Sequence, residues 1–398
     1  MPKNTDIIVL GLSPTGLYAV REAARAGYSV LGVGAPGAPG LWSRFLADRI
    51  VAETAEDRVA AILQCGKRKD ADKPVLIITS DQDLEAVLAR ADELADHVHL
   101  QGSYRDGLAG RIMDKNSFYQ LCRSEGIIYP ALWSATVDQA RQYRDQIAYP
   151  AMIKPARIQD VKHLMAGQKG WIVKTASDFD TVLPRIPDEA GVLLMQEIVP
   201  GPESNITLWC GYLDQTGQVR QRFTARKLRQ YPPGFGSASL VQSETCSETA
   251  EIAERLLSGL GYRGIAAAEF KRHPETGVLK IIEVNPRPSL WFSASTHADV
   301  SLVETAVAEA NDAPLPPPAE QKDGVLWRYT AKDLASCMFY ALNKDFVLPA
   351  PSMVQKTHVT ARADVTGAWD DPAPGLGELA NFVSKLAKRL TSKAGGRA

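Results

Sequence analysis

The strongest constraint on the fold is an alternation of short buried strands and amphipathic helices over the first hundred residues. Residues 6–11 form an apolar run, a glycine turn follows from Gly11 to Gly16, and a helical pattern leads into a second apolar run at 29–34. Another apolar run at 75–80 precedes a further helical pattern. Strand, turn, helix and strand in this order form a βαβ unit, so we predict an open, mostly parallel sheet.

The pattern changes in the rest of the chain. Strand candidates lie at 146–156, 170–175 and 192–199, and from residue 205 the strands become longer, with a turn signal at Asp214–Gly217. Such runs joined by short turns predict antiparallel pairing, so we expect an α/β and α+β fold. A Pro-rich connector at 313–318 precedes a C-terminal region whose pattern predicts no definite structure.

Composition excludes several classes of function. The chain has 398 residues, of which 45% are hydrophobic and 23% charged, which is typical of a soluble globular protein. A formal net charge of -1 gives no electrostatic footprint for nucleic acid or an anionic membrane, and no apolar run is long enough to span a bilayer. Five scattered cysteines suggest neither a zinc site nor a disulfide framework, so we expect a cytoplasmic protein with reduced thiols.

A hairpin within 266–288 carries the strongest chemical signal. A three-residue loop at 275–277 would place Glu269 opposite Glu283, and Asn285 would lie on the same face. Two carboxylates and an amide oxygen would then converge, and a hard cation such as Mg²⁺ would relieve their repulsion. A two-residue loop would instead leave a surface hairpin with one solvated carboxylate, so the sequence leaves both possibilities open.

Basic residues suited to phosphate precede this hairpin in sequence. Lys154 lies near the end of an apolar strand, and Lys115 begins a helix, although either side chain would also be stable in solvent. Between residues 155 and 170 the chain carries Gly167 and Lys169, and we predict that residues 163–170 form a basic lid that closes over a phosphate ligand.

Two further segments carry candidate site residues. The strand at 193–199 ends in a turn, so its backbone would read a nucleobase edge and Glu203 would reach a ribose, or the strand would simply be core. The cluster at 226–229 precedes a Pro/Gly turn, and Arg226 would neutralise an anion or lie on a solvated edge strand. Arg287 would lie beside the metal and suits phosphate or carboxylate contacts.

These motifs in their order resemble the ATP-grasp superfamily over about residues 110–312. The stretch RKLRQYPPGFG and the ending EVNPRP look closest to its carboxylate–amine ligases, with D-aspartate ligase and the synthetase domains of carbamoyl-phosphate synthase as more distant relatives. The resemblance implies four segments: a half-Rossmann domain at 1–112, a small lobe at 113–200, a large lobe at 201–312 and a C-terminal extension at 313–398.

The resemblance also implies roles for individual residues. Binding of ATP would involve phosphate-contacting lysines, the lid, an adenine hinge and a ribose contact, which are Lys115, Lys154, Gly167, Lys169, Gln196, Glu197, Val199 and Glu203. The ligands of Mg²⁺ or Mn²⁺ would be Glu269, Glu283 and Asn285. Arg287 and Arg226 would be the catalytic residues that stabilise charged oxygens.

The expected activity is ATP-dependent ligation of a small-molecule carboxylate to an amine, with an amino acid as one implied partner. The resemblance leaves a homodimer open. Two alternatives remain: a carboxylase or carbamoyl-phosphate type of enzyme that uses bicarbonate, and a nucleotide-binding protein without catalysis. Dinucleotide binding at Gly11–Gly16 is the weakest option, because the spacing is not GxGxxG and a glycine turn also has a structural use.

Overall fold

The computed structural model of the protein describes residues 5–65, 73–156, 161, 170–351 and 358–378. Its strands are β1 (Ile7–Leu10), β2 (Val30–Gly34), β3 (Asp48–Val51), β4 (Val75–Ile78), β5 (Leu132–Thr136), β6 (Ala151–Pro155), β7 (Trp171–Val173), β8 (Val192–Glu197), β9 (Ile206–Leu213), β10 (Val219–Tyr231), β11 (Ser237–Ser243), β12 (Gly264–Arg272), β13 (Leu279–Asn285), β14 (Val325–Arg328) and β15 (Ala361–Asp364). Its α-helices are α1 (Pro14–Arg25), α2 (Ala55–Leu63), α3 (Asp81–Leu88), α4 (Ala91–Leu94), α5 (Gly102–Arg105), α6 (Leu108–Met113), α7 (Lys115–Ser124), α8 (Val137–Ala140), α9 (Ala176–Val182), α10 (Ser247–Gly259), α11 (Ser293–His297), α12 (Leu302–Ala310) and α13 (Thr330–Leu342).

The N-terminal sheet is parallel throughout, in the order β3-β2-β1-β4. This confirms the prediction from the strand–helix alternation. The glycine turn before α1 has a packing reason, because a Cβ on Gly16 would lie 1.8 Å from the carbonyl oxygen of Gly11. Only glycine lets the two backbone segments approach so closely.

The second sheet is antiparallel and has the order β5-β8-β6-β7. It carries its own core, in which Ile153, Phe179 and Met195 are fully buried. A capping box begins α9, since the Thr175 side chain accepts from the backbone of Asp178 and the Asp178 side chain accepts in return. The strands predicted at 146–156, 170–175 and 192–199 are therefore present.

The third sheet has seven strands in the order β13-β12-β9-β10-β11-β14-β15. Its last two strands come from the region after residue 313, for which the sequence predicted no structure. Val325 and Trp327 of β14 are fully buried, and α13 packs against β10 and β11. The C-terminal region thus completes the large sheet. Among the described helices, none is long and apolar enough to cross a membrane.

A buried ion pair joins the N-terminal sheet region to the C-terminal region. Arg21 of α1 donates to the carboxylate of Asp371 at 2.9 Å, and the Ser43 hydroxyl donates to the same carboxylate at 2.7 Å. The side chains of Arg21 and Asp371 are only 8% and 1% exposed.

We expect Asp371→Asn to lower the free energy of unfolding by about 3 kcal/mol, because it leaves the buried Arg21 guanidinium without a counter-charge. The neighbouring Asp370 pairs with Arg25 in an exposed position, so Asp370→Asn is a matched control with an expected effect of about 1 kcal/mol or less. Urea unfolding followed by circular dichroism measures both. Equal losses in the two variants would contradict the structural role of Asp371.

Candidate active site

The two candidate metal carboxylates lie directly opposite each other. Glu269 of β12 is in register with Glu283 of β13, and Ala267 is in register with Asn285. The Asn285 amide donates to the Glu283 carboxylate at 3.2 Å. Three oxygen-bearing side chains therefore meet on one face of the large sheet, at its β12–β13 edge.

This register arises differently from the predicted one. The predicted loop at 275–277 is wrong, because His273 donates to Val278 at 2.9 Å and the loop has one residue more. A β-bulge at Ile282 then shifts the register between Glu269 and Phe270 by one residue. The two differences cancel, so the carboxylates face each other as the sequence predicted.

Two ammonium groups balance the charge of these carboxylates. Lys227 of β10 donates to Glu269, and the Lys115 ammonium lies 3.6 Å from the Glu283 carboxylate. Burial opposes ionisation of Glu283, but Lys115 and Lys227 outweigh it and lower the pKa of Glu283 to about 2. Burial raises the pKa of Glu269, although Lys227 opposes this shift.

A chain of hydrogen bonds links the second sheet to this carboxylate pair. Lys154 of β6 donates to Gln196 at 3.0 Å, Gln196 donates to Tyr119 at 2.7 Å, and Tyr119 donates to the carbonyl of Ile282 at 3.1 Å. Lys115 also donates to that carbonyl, at 3.4 Å. The structure therefore brings Lys115, Lys154 and Gln196 to one cleft, next to the bulged strand.

The side chain of the predicted hinge residue Glu197 is bonded to a lysine of the large sheet. Its carboxylate accepts from the Lys280 ammonium at 2.6 and 2.7 Å and from the backbone of Ala131 at 2.8 Å. The next residue, Ile198, donates to Pro150 at 2.8 Å, and Val199 is buried. The side chain of Glu197 thus fixes this segment, and its role as an adenine hinge stays a prediction.

The predicted ribose contact Glu203 is held by donors of the protein itself. It is fully buried, and its carboxylate accepts from the backbone of Gln230 at 3.0 Å, the backbone of Gly234 at 2.7 Å and the hydroxyl of Tyr340 at 2.9 Å. Burial raises the pKa of Glu203, and these three donors oppose the shift. Glu203 therefore ties the Pro/Gly turn to α13, and its role as a ribose contact stays a prediction.

The guanidinium of Arg226 is bonded away from the carboxylate pair. It donates to Glu244 at 2.7 and 2.5 Å and to the carbonyl of Ser204 at 3.0 Å. Successive residues of a strand point to opposite faces, so Arg226 lies on the face away from Lys227 and Glu269. The cation of this cluster that reaches the carboxylates is Lys227.

We therefore expect Arg226→Gln to keep the ATP-dependent activity implied by the family resemblance within roughly twofold of the wild type, since a substitution away from the site changes little. The partly exposed pair with Glu244 contributes about 1 kcal/mol or less to stability. Steady-state release of ADP measures turnover. A loss of a hundredfold in a folded variant would restore Arg226 as a catalytic candidate.

Arg287 lies beside the carboxylate pair, as predicted. It donates to Asp81 at 2.7 Å and lies 3.5 Å from the Asn285 side-chain oxygen. Asp81 is the first residue of α3, in the N-terminal region, so Arg287 stands where that region meets the large sheet. Its side chain is 13% exposed, and its guanidinium is suited to bidentate contacts with an anion.

The predictions for Gly167, Lys169 and the lid at 163–170 lie outside the described residues, apart from Gly170. Sequence reasoning also missed Tyr119, Lys280 and Lys271. Lys271 is two residues beyond Glu269 on β12, so strand alternation alone indicates that it shares the carboxylate face. Burial lowers the pKa of Lys271 to about 8.

A cavity of about 920 Å³ lies elsewhere, between α1, α11 and the β14–β15 edge of the large sheet. It is lined by Arg21 and Arg25, whose guanidinium groups are paired with Asp371 and Asp370. The predicted site residues do not line it. We therefore place the chemistry at the carboxylate pair and not in this cavity.

Comparison with known sequences gives moderate similarities. The chain is 26% identical over 246 residues to D-aspartate ligase of Enterococcus faecium (strain Aus0004), which covers 58% of the chain and 57% of that protein. It is 23% identical over 319 residues to the N-terminal section of the carbamoyl phosphate synthase large chain of Methanopyrus kandleri, covering 73% of the chain and 54% of that section. The chain thus spans about half the length of these relatives. No protein-family model matches it.

Solved structures share the fold. The ADP complex of PurK, N5-carboxyaminoimidazole ribonucleotide synthetase, superposes with a TM-score of 0.62 at 16% identity and covers 81% of the chain and 80% of its own. The biotin carboxylase domain of Hydrogenobacter thermophilus 2-oxoglutarate carboxylase gives a TM-score of 0.62 at 12% identity, covering 81% and 73%. The fold is therefore the ATP-grasp fold.

These relatives and structural neighbours are all ATP-grasp enzymes. The chain therefore shares the ATP-grasp fold and resembles these enzymes in sequence, as its ordered motifs predicted.

Proposed function

We propose that the protein is an ATP- and Mg²⁺-dependent ligase that activates a carboxylate as an acyl phosphate and couples it to an amine. The observation that carries this proposal is the facing pair Glu269 and Glu283, with Asn285 beside them. This oxygen cluster lies at one end of a hydrogen-bonded chain that leads to Lys154 on the second sheet. A nucleotide triphosphate needs such a combination of a metal corner and separate cations.

The relatives support the same reaction class. D-aspartate ligase is by its name a ligase for an amino acid, and PurK was solved with ADP. We place ATP between segments 113–200 and 201–312, with its base against the hinge residues Gln196, Glu197 and Val199. An amino acid is then one candidate substrate, as either the carboxylate or the amine.

The donor set fits a hard divalent cation. Glu269, Glu283 and Asn285 offer oxygen ligands, which suit Mg²⁺. In this structure Lys115 and Lys227 neutralise the two carboxylates, so this corner attracts positive charge. Bound there, Mg²⁺ would supply charge stabilisation for the phosphate oxygens. Lys115 and Lys227 would then be released to contact the nucleotide.

The residues of the protein act by position and charge. Lys154 and Lys115 would screen the phosphates, so that a carboxylate oxygen can attack the γ-phosphorus and ADP can leave. Arg287 would hold the incoming carboxylate at the boundary with the N-terminal region. An amine then attacks the acyl carbon, the phosphate leaves with the electron pair, and the amine loses a proton.

A reaction with bicarbonate is the second candidate, because the structure of the 2-oxoglutarate carboxylase domain contains bicarbonate. Both reactions form ADP, but only ligation yields an activated organic acid. Hydroxylamine would trap that acid as a hydroxamate.

The test is release of ADP by purified protein with ATP, Mg²⁺ and pools of amino acids and carboxylic acids, with products read by mass spectrometry. We expect ADP formation that depends on one pool and a product mass equal to acid plus amine minus water. ADP release that depends on bicarbonate alone would favour the carboxylase. No binding and no turnover of ATP would overturn both proposals.

A further inference from the structure

Three lysines form a row across the large sheet. The row lies next to the carboxylate pair, on the side of the predicted hinge residue Glu197. Lys280 of β13 is in register with Lys271 of β12, and Ile206 of β9 separates Lys271 from Lys227 of β10. Partners opposite each other in antiparallel strands share a face, and Lys271 follows Glu269 by two residues. The row therefore lies on the face that carries Glu269.

The outer two lysines of this row are paired and the middle one is not. Lys227 donates to Glu269, and Lys280 donates to Glu197. Among the residues that the structure describes, Lys271 makes no hydrogen bond or ion pair, although it is only 5% exposed. The nearby carboxylate of Glu203 is occupied by three other donors.

Because so little of Lys271 reaches solvent, few water molecules can hydrate its ammonium group, and an oxygen ligand at this position would stabilise the charge. Lys271 lies about 7 Å along the strand from Glu269, as two residues of an extended strand span. Its neighbour Lys280 is bonded to Glu197 at the hinge. Lys271 thus stands on the cleft floor between the corner that would hold the phosphates and the segment that would hold the base.

We propose that Lys271 binds the nucleotide by donating to oxygens of its ribose–α-phosphate segment, a role that rests on the proposed function. Lys271 would set affinity for the nucleotide and would not take part in phosphoryl transfer, because in the proposed function the carboxylates and Lys154 would flank the reacting phosphate.

The test is Lys271→Met, which keeps an unbranched apolar stem and removes the ammonium group. We expect KM for ATP to rise at least tenfold with kcat little changed, and the thermal shift produced by MgADP to fall to a small fraction of its wild-type size. Lys322→Met is the matched control, because Lys322 pairs with Asp299 on the surface, and it should behave as the wild type.

Binding of AMP and of adenosine distinguishes a contact with the α-phosphate from a contact with the ribose. If Lys271→Met binds both AMP and adenosine more weakly, Lys271 contacts the ribose. If the variant binds only AMP more weakly, Lys271 contacts the α-phosphate. An unchanged KM and MgADP shift in the variant would overturn the proposal for Lys271 while leaving the ligase intact. Unfolding of the variant would also overturn it, by showing a structural role, and failure of the wild type to bind MgADP would overturn the proposed function itself.

Discussion

Glu283→Ala is expected to abolish ATP-dependent turnover while the protein stays folded. The substitution removes one of two facing carboxylates that would hold Mg²⁺, and the resulting loss of charge stabilisation is expected to lower kcat by about 10³-fold or more, or about 4 kcal/mol. Stability should change little, because the Glu283 side chain is 40% exposed and its nearest ammonium, Lys115, is also partly exposed.

Glu244→Ala is the matched control for this experiment. The Glu244 side chain is also 40% exposed and also pairs with a cation, Arg226, but it lies on the other face of the sheet. We expect near-normal turnover in the control. ADP release at increasing Mg²⁺ and near-ultraviolet circular dichroism are measured for both variants. Glu283→Ala with normal Mg²⁺-dependent turnover would contradict the metal site.

The sequence predicted those parts of the fold that depend on local pattern. The βαβ alternation gave the parallel sheet, and the apolar runs gave β6 and β8. The sequence could not show that β14 and β15 complete the large sheet. Each has four residues and pairs with a strand far away in sequence or across a long connection, so no local pattern indicates its place.

In the candidate site, too, the sequence predicted what depends on local pattern and missed what depends on strand order. Glu269, Glu283 and Asn285 lie on two strands joined by one turn, so pattern alone brought them together, even though the predicted loop was wrong. The choice between Arg226 and Lys227 depended on which face of β10 meets the carboxylates. That face is set by β9, which lies between β10 and β12 in the sheet, and strand order is not encoded in the local pattern.

The largest stability effect is expected for Glu203→Ala. The buried carboxylate accepts from two backbone N–H groups and from Tyr340, and its removal leaves three donors without this partner, of which the Gly234 N–H is partly buried and the other two are buried. At about 1–3 kcal/mol for each such group, we expect the free energy of unfolding to fall by about 5 kcal/mol. Tyr340→Phe removes a single donor and should cost about 1 kcal/mol.

The control for Glu203 is Glu248→Ala, since Glu248 pairs with Arg272 in an exposed position and should contribute about 1 kcal/mol or less. Thermal unfolding ranks the three variants. If Glu203 bound ribose instead, Glu203→Ala would raise KM for ATP at unchanged melting temperature. We expect the melting temperature to fall steeply in Glu203→Ala and only slightly in Tyr340→Phe and Glu248→Ala. This result would identify Glu203 as the anchor between the Pro/Gly turn and α13. Lys271 would then be the polar group available to the nucleotide on that part of the cleft floor.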